Sequence, residues 1–182
     1  MAYATFGPVR TAPKTFAETV QSRRYMTVMN LQEQAEALRL LLLMGVADKA
    51  ELVAWADHII TTQDGVPGWL LDLSLGANED AAAIEAKLRD LPGECKARSA
   101  AYAAMDRFAQ EFQVKGKFTS RQAANMLTIW ACSAKIEEED RLAAMMPYYI
   151  ADEVPFGNAT DQDVVDAIDE CIARFATLSA SA

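Results

Sequence analysis

The chain has very few of the side chains that most hydrolytic and zinc sites require. It contains one histidine, His58, and three widely spaced cysteines, Cys95, Cys132 and Cys171, with no CxxC pair. A serine or cysteine nucleophile needs a base, most often histidine, to take its proton, and a zinc site needs several histidine or cysteine ligands. The composition therefore argues against both kinds of site. Scattered cysteines in odd number are typical of reduced thiols in a cytoplasm rather than of a disulfide framework.

Loops that bind phosphate or calcium are missing as well. The chain has no GxGxxG or GxxxxGK[ST] segment, no calcium loop of the EF-hand type and no Glu-x-x-His pair for a di-iron centre. Its longest apolar run, LRLLLLMGVA, includes Arg39 and is far shorter than the roughly 18 residues that suggest a membrane span. The N-terminal sequence MAYATFGPVR lacks the basic and apolar regions of a secretory signal. We therefore expect a cytoplasmic protein with no cofactor and no membrane segment.

The single histidine follows an aspartate in ELVAWADHII, residues 51–60, a pairing that invites comparison with an active site. An α-helix turns by about 100° per residue, so Leu52, Ala56 and Ile59 share one apolar face. His58 lies on the opposite face, and Asp57 lies about 100° away from it around the helix. We therefore predict that His58 is an exposed helix residue whose side chain does not pair with Asp57.

Helix-capping residues recur along the whole sequence. A Thr, Asn or Asp that precedes an apolar periodic run, often with an acidic or amide residue three positions later, is typical of a helix start. Such starts occur at Thr15, Asn30, Asp48, Asn78, Thr119 and Thr160. No alternating strand pattern and no internal repeat accompanies them. We predict an all-α protein, with a single compact domain of about seven to nine helices over residues 14–182 and an extended arm over residues 1–13.

The negative charge is concentrated in one part of the chain. The net charge is −9, and residues 137–170 alone contain eleven acidic residues and one basic residue. Residues 1–30 have the opposite sign, with four basic residues and one acidic residue. A strongly acidic segment repels nucleic-acid phosphates and attracts basic partners. We therefore expect no direct binding of nucleic acid, although basic residues near the N-terminus could instead neutralise part of this charge within the chain.

Aromatic and acidic side chains occur together in MMPYYIADEVPFG, residues 145–157. Because a proline disrupts the helix interior, Pro147 is expected to end the preceding helix and leave this segment as a loop. Tyrosine and phenylalanine are enriched at protein interfaces, and acidic neighbours would suit a basic partner. We predict a partner-binding site with the following residues: Tyr148, Tyr149, Asp152, Glu153 and Phe156. The alternative is that these aromatic rings pack on the domain as the loop crosses its surface.

A second candidate site is the run of carboxylates just before this loop. Glu137 and Asp140 lie three residues apart and would share one face of a helix. Divalent cations such as Mg²⁺ prefer several oxygen ligands, which carboxylates can supply. These two residues are the candidate metal ligands, and the alternative is an acidic face exposed to solvent.

Together these features predict a small acidic protein that binds another protein, which is itself basic. In size, acidity and expected helical content the chain resembles bacterial immunity proteins and other small inhibitors of basic toxins, although no shared motif supports the likeness. Masking of a toxin or effector is therefore the most specific form of the hypothesis. Two alternatives remain: a carboxylate-based metal enzyme, or an assembly subunit whose C-terminal helix packs against a second copy to form a homo-oligomer.

Overall fold

The computed structural model describes residues 29–179, which form eight α-helices and no strand. The helices are α1 (Leu31–Met44), α2 (Lys49–Thr62), α3 (Gly68–Ser74), α4 (Ala81–Arg89), α5 (Ala97–Ala109), α6 (Ser120–Ser133), α7 (Glu138–Glu153) and α8 (Asp161–Ser179). Short 3₁₀ turns follow α3 and α7, at Leu75–Asn78 and Val154–Phe156, and a π-helical turn over Gln110–Val114 extends α5. The predicted all-α class and the number of helices are confirmed. The predicted arm and the helix start at Thr15 lie outside the described residues.

Most of the predicted helix starts are found. Their signal is local, since a capping side chain accepts a hydrogen bond from a free N–H group in the first turn of its own helix. Asn30 and Glu33 form a reciprocal capping box on α1, as Thr119 and Gln122 do on α6. Gly45 ends α1 with φ of 73°, a left-handed conformation that glycine adopts without the steric cost of a Cβ.

Two details of capping differ from the prediction. Asn78 does not cap α4, because the 3₁₀ turn after α3 runs through it, and the cap is Asp80, whose carboxylate accepts from the Ala83 N–H. Asp48 does cap α2, but the Glu51 carboxylate forms an ion pair with Arg107 of α5. The side chain three residues after this cap therefore forms a tertiary ion pair instead of a reciprocal capping bond.

One contiguous apolar core includes side chains from all eight helices. Trp130 of α6 is fully buried, donates its indole N–H to the Ala101 carbonyl of α5 at 3.2 Å, and packs edge-on against Phe175 of α8 at 4.9 Å between ring centroids. The connection between α6 and α7 is four residues long, so these helices form an antiparallel pair, and α8 packs across both of them. None of the helices formed by residues 29–179 is long and apolar enough to cross a bilayer.

A charged network is also buried between helices. The Arg39 guanidinium donates to Glu36 of its own helix at 2.7 and 2.8 Å, to Glu85 of α4 at 2.7 Å, and to the Ser133 carbonyl at 3.2 Å. Arg39 therefore links α1, α4 and the end of α6. Because a buried charge is tolerated only when it is paired, each member of this network depends on the others.

Candidate functional site

The helix α7 continues through Pro147, so the predicted loop at residues 145–157 is wrong. Proline removes one helical hydrogen bond and its ring crowds the carbonyl group four residues earlier. Pro147 is nevertheless buried, and α7 packs against α6 and α8 along its length. Tertiary packing thus outweighs the local cost, and the residues up to Glu153 occupy helical positions.

The continuous helix creates an apolar face that a loop would not have. Leu142, Met146 and Tyr149 are spaced at i, i+4 and i+7, and their exposed fractions are 53%, 50% and 51%. Phe156 follows in the 3₁₀ turn and is 78% exposed. These four residues are here named the α7 face. Large apolar side chains aligned on the outside of a helix have the pattern of a face that packs against another surface.

The two neighbouring tyrosines have different surroundings. Tyr148 is half-buried, whereas Tyr149 is exposed, and the centroids of the two rings are 6.1 Å apart in an edge-on arrangement. Consecutive residues lie about 100° apart around a helix, so only one of the two side chains can lie on the outer face. Tyr149 is therefore the tyrosine that is exposed on the outer face of α7.

Leu142 and Met146 are absent from the predicted site, although the sequence does contain their signal. Their spacing to Tyr149 has the period of one helix face, but it can be recognised only if the helix is continued through Pro147. Because a proline ordinarily ends a helix, the sequence alone does not place these three residues on one face.

The acidic residues of the predicted site lie at the end of α7 and are already engaged. Asp152 forms an ion pair with Arg121 of α6 at 3.2 Å. Glu153 is exposed and accepts a hydrogen bond from the Asn158 side chain at 2.7 Å. Both carboxylates stay at the surface beside Tyr149 and Phe156, where they contribute negative charge at the edge of the apolar face.

The two candidate metal ligands have different environments. Glu137 is exposed at the start of α7, whereas Asp140 is only 4% exposed and lies against two arginines. Its carboxylate accepts from Arg174 of α8 at 2.9 and 3.1 Å and lies 3.8 Å from the Arg98 guanidinium of α5. Within residues 29–179 no group of three or more His, Cys, Asp or Glu side chains could hold a metal ion. Cationic neighbours oppose a divalent cation, so the metal hypothesis gains no support from this geometry.

A second acidic surface lies on α8, next to α7. Asp163, Asp166 and Glu170 are exposed and follow one another at helical spacing on its outer side. Arg174 is the one basic residue in the sequence of α8, and its guanidinium contacts Glu139 and Asp140 of α7. The outer side of α8 therefore extends the negative potential that begins on α7.

Two further features, the single histidine and a cavity between α3 and α4, are the other candidates for an active site. His58 is exposed on α2 as predicted, and its neighbour Asp57 accepts a hydrogen bond from the Ser74 hydroxyl. A cavity between α3 and α4, lined by Trp69, Leu88 and the Lys87 side chain, has a volume of about 200 Å³. Pockets for small organic ligands usually measure about 300–1,000 Å³. Neither feature has the geometry of an active site.

The three cysteines are free, and they differ in burial, which allows a direct test of the core. Cys171 is buried in α8, and this burial raises the pKa of its thiol to about 12, whereas Cys95 and Cys132 are exposed. Since the thiolate is the reactive form, alkylation at neutral pH is expected to modify Cys95 and Cys132 in the folded protein and Cys171 only after unfolding. Mass spectrometry should find two modified thiols before denaturation and three after it. Fast labelling of Cys171 in the folded protein would contradict the packing of α8.

Comparison with known proteins yields no relative, because no family model, no curated protein and no solved structure matches the chain.

Proposed function

We propose that this protein binds another protein through the α7 face and the acidic side chains around it. The observation that carries the proposal is the alignment of Leu142, Met146 and Tyr149, each about half exposed, on one side of a helix whose other side is packed in the core. Exposed apolar residues that occur singly need no explanation, but an aligned group next to an exposed Phe156 is typical of an interaction surface.

The charge around this surface determines the kind of partner. Residues 137–170 contain eleven acidic residues and one basic residue, and the exposed acids of α8 lie beside α7. A basic protein surface would be drawn toward this region, and complementary charge raises association rates more than it raises affinity. The partner is therefore a protein with a basic surface that surrounds an apolar patch.

The expected mode of binding has an apolar centre and a charged rim. Tyr149 supplies a large ring with a polar hydroxyl, a combination that is common among the residues that dominate binding energy. Leu142 and Met146 extend the apolar contact, while Glu138 and Glu153 lie at the two ends of the same helix face. Binding would cover the basic surface of the partner. In its most specific form the proposal is an immunity or inhibitor function, in which that surface belongs to a toxin or effector.

The test is affinity capture from the native host lysate with a variant that removes the apolar contact. Leu142→Ser, Met146→Ser and Tyr149→Ser are combined in one chain. The loss of two or more contacts worth about 2 kcal/mol each should weaken binding by a factor of at least about 100. Surface substitutions usually change stability by about 0.5 kcal/mol or less, so the variant should remain folded. Circular dichroism and thermal melting check that it does.

A matched control uses the exposed leucines of another region. Leu71 of α3 and Leu75 of the following turn are 47% and 80% exposed, so Leu71→Ser with Leu75→Ser removes similar apolar area elsewhere. This control should capture the same basic protein as the wild type. Equal capture by the wild type, the α7 variant and the control would show that the interface does not include the α7 face. If the α7 variant instead loses self-association in light scattering, the face joins two copies of this chain and the proposal of a foreign partner is wrong.

A further inference from the structure

We propose that the N-terminal segment of the chain, residues 1–28, binds the α7 face in competition with the external partner. This inference rests on the proposed function, because it concerns the regulation of the same surface. The proposed occupant is thus a defined part of this polypeptide, and it combines the basic charge and the apolar side chains that an acidic surface with an apolar face would bind.

Charge complementarity is the first argument. The segment carries four basic residues, Arg10, Lys14, Arg23 and Arg24, and a single acidic residue, Glu18. On the described residues, the N-cap Glu137 and the first two residues of α7, Glu138 and Glu139, are glutamates, and the helix ends with Asp152 and Glu153. The segment therefore has the sign of charge that the proposed external partner must have, and it is permanently attached to the surface.

The apolar residues of the segment are the second argument. Phe6, Phe16, Val20 and Tyr25 are large apolar or aromatic residues in the sequence of the segment, and they are interspersed with its basic residues. Sequences that place basic and apolar side chains together bind acidic surfaces with an exposed apolar stripe. The α7 face, with Leu142, Met146 and Tyr149 exposed along one side, is such a surface.

The position at which the segment joins the described chain is the third argument. Asn30, at the start of α1, donates its side-chain amide to the Glu94 carbonyl at 3.3 Å, just before α5 begins. Arg98, in the first turn of α5, lies 3.8 Å from the Asp140 carboxylate in the first turn of α7. The segment therefore joins the chain at the end of α1 that contacts the residues just before α5, and the first turn of α5 is in turn linked to the first turn of α7 by the pair between Arg98 and Asp140.

The length of the segment permits the contact. An extended chain spans at most about 3.3–3.6 Å per residue, so the 28 residues before Met29 could reach roughly 90 Å. The 16 residues of α7 span only about 24 Å. Covalent attachment produces an effective concentration of up to about a millimolar, so a contact with a dissociation constant well below that value is largely formed. An external partner must then displace the segment.

The test is zero-length cross-linking of the full chain with a carbodiimide, which condenses an amine with a carboxylate in direct contact and itself takes up the water that is released. Lys14 is the only lysine among the first 28 residues, so an amide bond from its Nζ reports the position of the segment. We expect mass spectrometry to find Lys14 joined to carboxylates of residues 137–170. An equal mixture of ¹⁴N- and ¹⁵N-labelled protein distinguishes bonds within a chain from bonds between chains.

Two matched variants replace the same two arginines, and they differ in whether the positive charge is reversed or kept. Arg23→Glu with Arg24→Glu should lower the yield of the Lys14 cross-link by about tenfold, whereas Arg23→Lys with Arg24→Lys should preserve it. Amide hydrogen exchange in residues 142–156 should be faster in the Glu variant than in the wild type, because the segment no longer covers α7. The inference is overturned if the Lys14 cross-link is absent or if its yield is equal in both variants. It is also overturned if the cross-link joins two chains, which would instead indicate that a second copy of the protein binds the α7 face.

The outcomes also separate this inference from the proposed function. If the Glu variant loses the cross-link and captures more basic protein from the lysate than the wild type does, both proposals are supported. If the intrachain cross-link forms but no basic protein is captured by either chain, the segment does bind α7 and only the external partner is refuted. If capture succeeds without the cross-link, the proposed function stands and the inference fails.

Discussion

Replacing Trp130 with alanine is expected to lower the free energy of unfolding by about 3–5 kcal/mol, the usual cost of removing a buried aromatic side chain. Trp130 is fully buried, lies edge-on against Phe175 of α8, and donates a hydrogen bond to the Ala101 carbonyl of α5. Its loss opens a cavity where α5, α6 and α8 meet. Denaturant unfolding followed by circular dichroism measures the change.

The matched control is Trp55→Ala on α2. Trp55 is only partly buried, stacks on Trp69 at 6.2 Å between centroids, and donates to the Gln34 side chain at 3.1 Å. Because less of its surface is removed from water, we expect a clearly smaller loss of stability than for Trp130→Ala. Equal losses for the two variants would mean that Trp130 does not occupy the centre of the core. Since α7 packs against α6, the Trp130 variant should also weaken partner capture through the loss of folded protein.

Arg39→Ala should destabilise the protein by a similar amount, about 3–5 kcal/mol, for an electrostatic reason. The substitution removes the cation that Glu36 and Glu85 share, although both have little solvent access, and leaves Glu85 only its pair with the more exposed Arg89. It also removes the hydrogen bond from Arg39 to the Ser133 carbonyl, just before the connection to α7. The same denaturant measurement applies, and a loss below about 1 kcal/mol, the range of exposed pairs, would contradict the burial of this network.

Arg141→Ala is the matched control for this prediction. The ion pair between Arg141 and Glu138 is exposed, so the same substitution there should change stability by at most about 1 kcal/mol. The comparison therefore tests burial rather than the mere presence of an ion pair.

The cost of Arg39→Ala should also depend on pH. Burial raises the pKa of the Glu85 carboxyl, but hydrogen bonds from Arg89 and Arg39 outweigh it and hold the pKa below its usual value near 4.5. A carboxyl with a lowered pKa stabilises the folded state above its unfolded pKa, and that contribution is lost as the pH falls through the folded pKa. The difference between wild type and Arg39→Ala should accordingly shrink as the pH falls below about 4.5.

The helical class of this protein could be predicted from the sequence, because its signals are local. Asn30, Thr119 and Gly45 act on the backbone groups next to them, and helix periodicity is visible within a few turns. The apolar period of α8 is local in the same way, and Val164, Ile168 and Phe175, which share one side of that helix, all lie in the core. The exposure of His58 followed from the same periodicity on α2.

Charge also required no tertiary information. The excess of acidic residues in 137–170 is a property of composition, and the proposal of a basic partner rests on it whatever the fold. The sequence alone therefore predicts that the candidate site combines tyrosines with acidic residues, among them Tyr149 and Glu153.

Only the tertiary structure decided how these residues are arranged. The sequence predicts that Pro147 ends a helix, because the cost of a proline is local, whereas the packing of α7 against α6 and α8 that offsets this cost is not. Asp140, which the sequence offers as a metal ligand or as part of an exposed acidic face, becomes a buried partner of Arg174 because α8 returns to α7. The α7 face exists for the same reason: distant helices keep α7 continuous through Pro147, and continuity aligns Leu142 and Met146 with Tyr149.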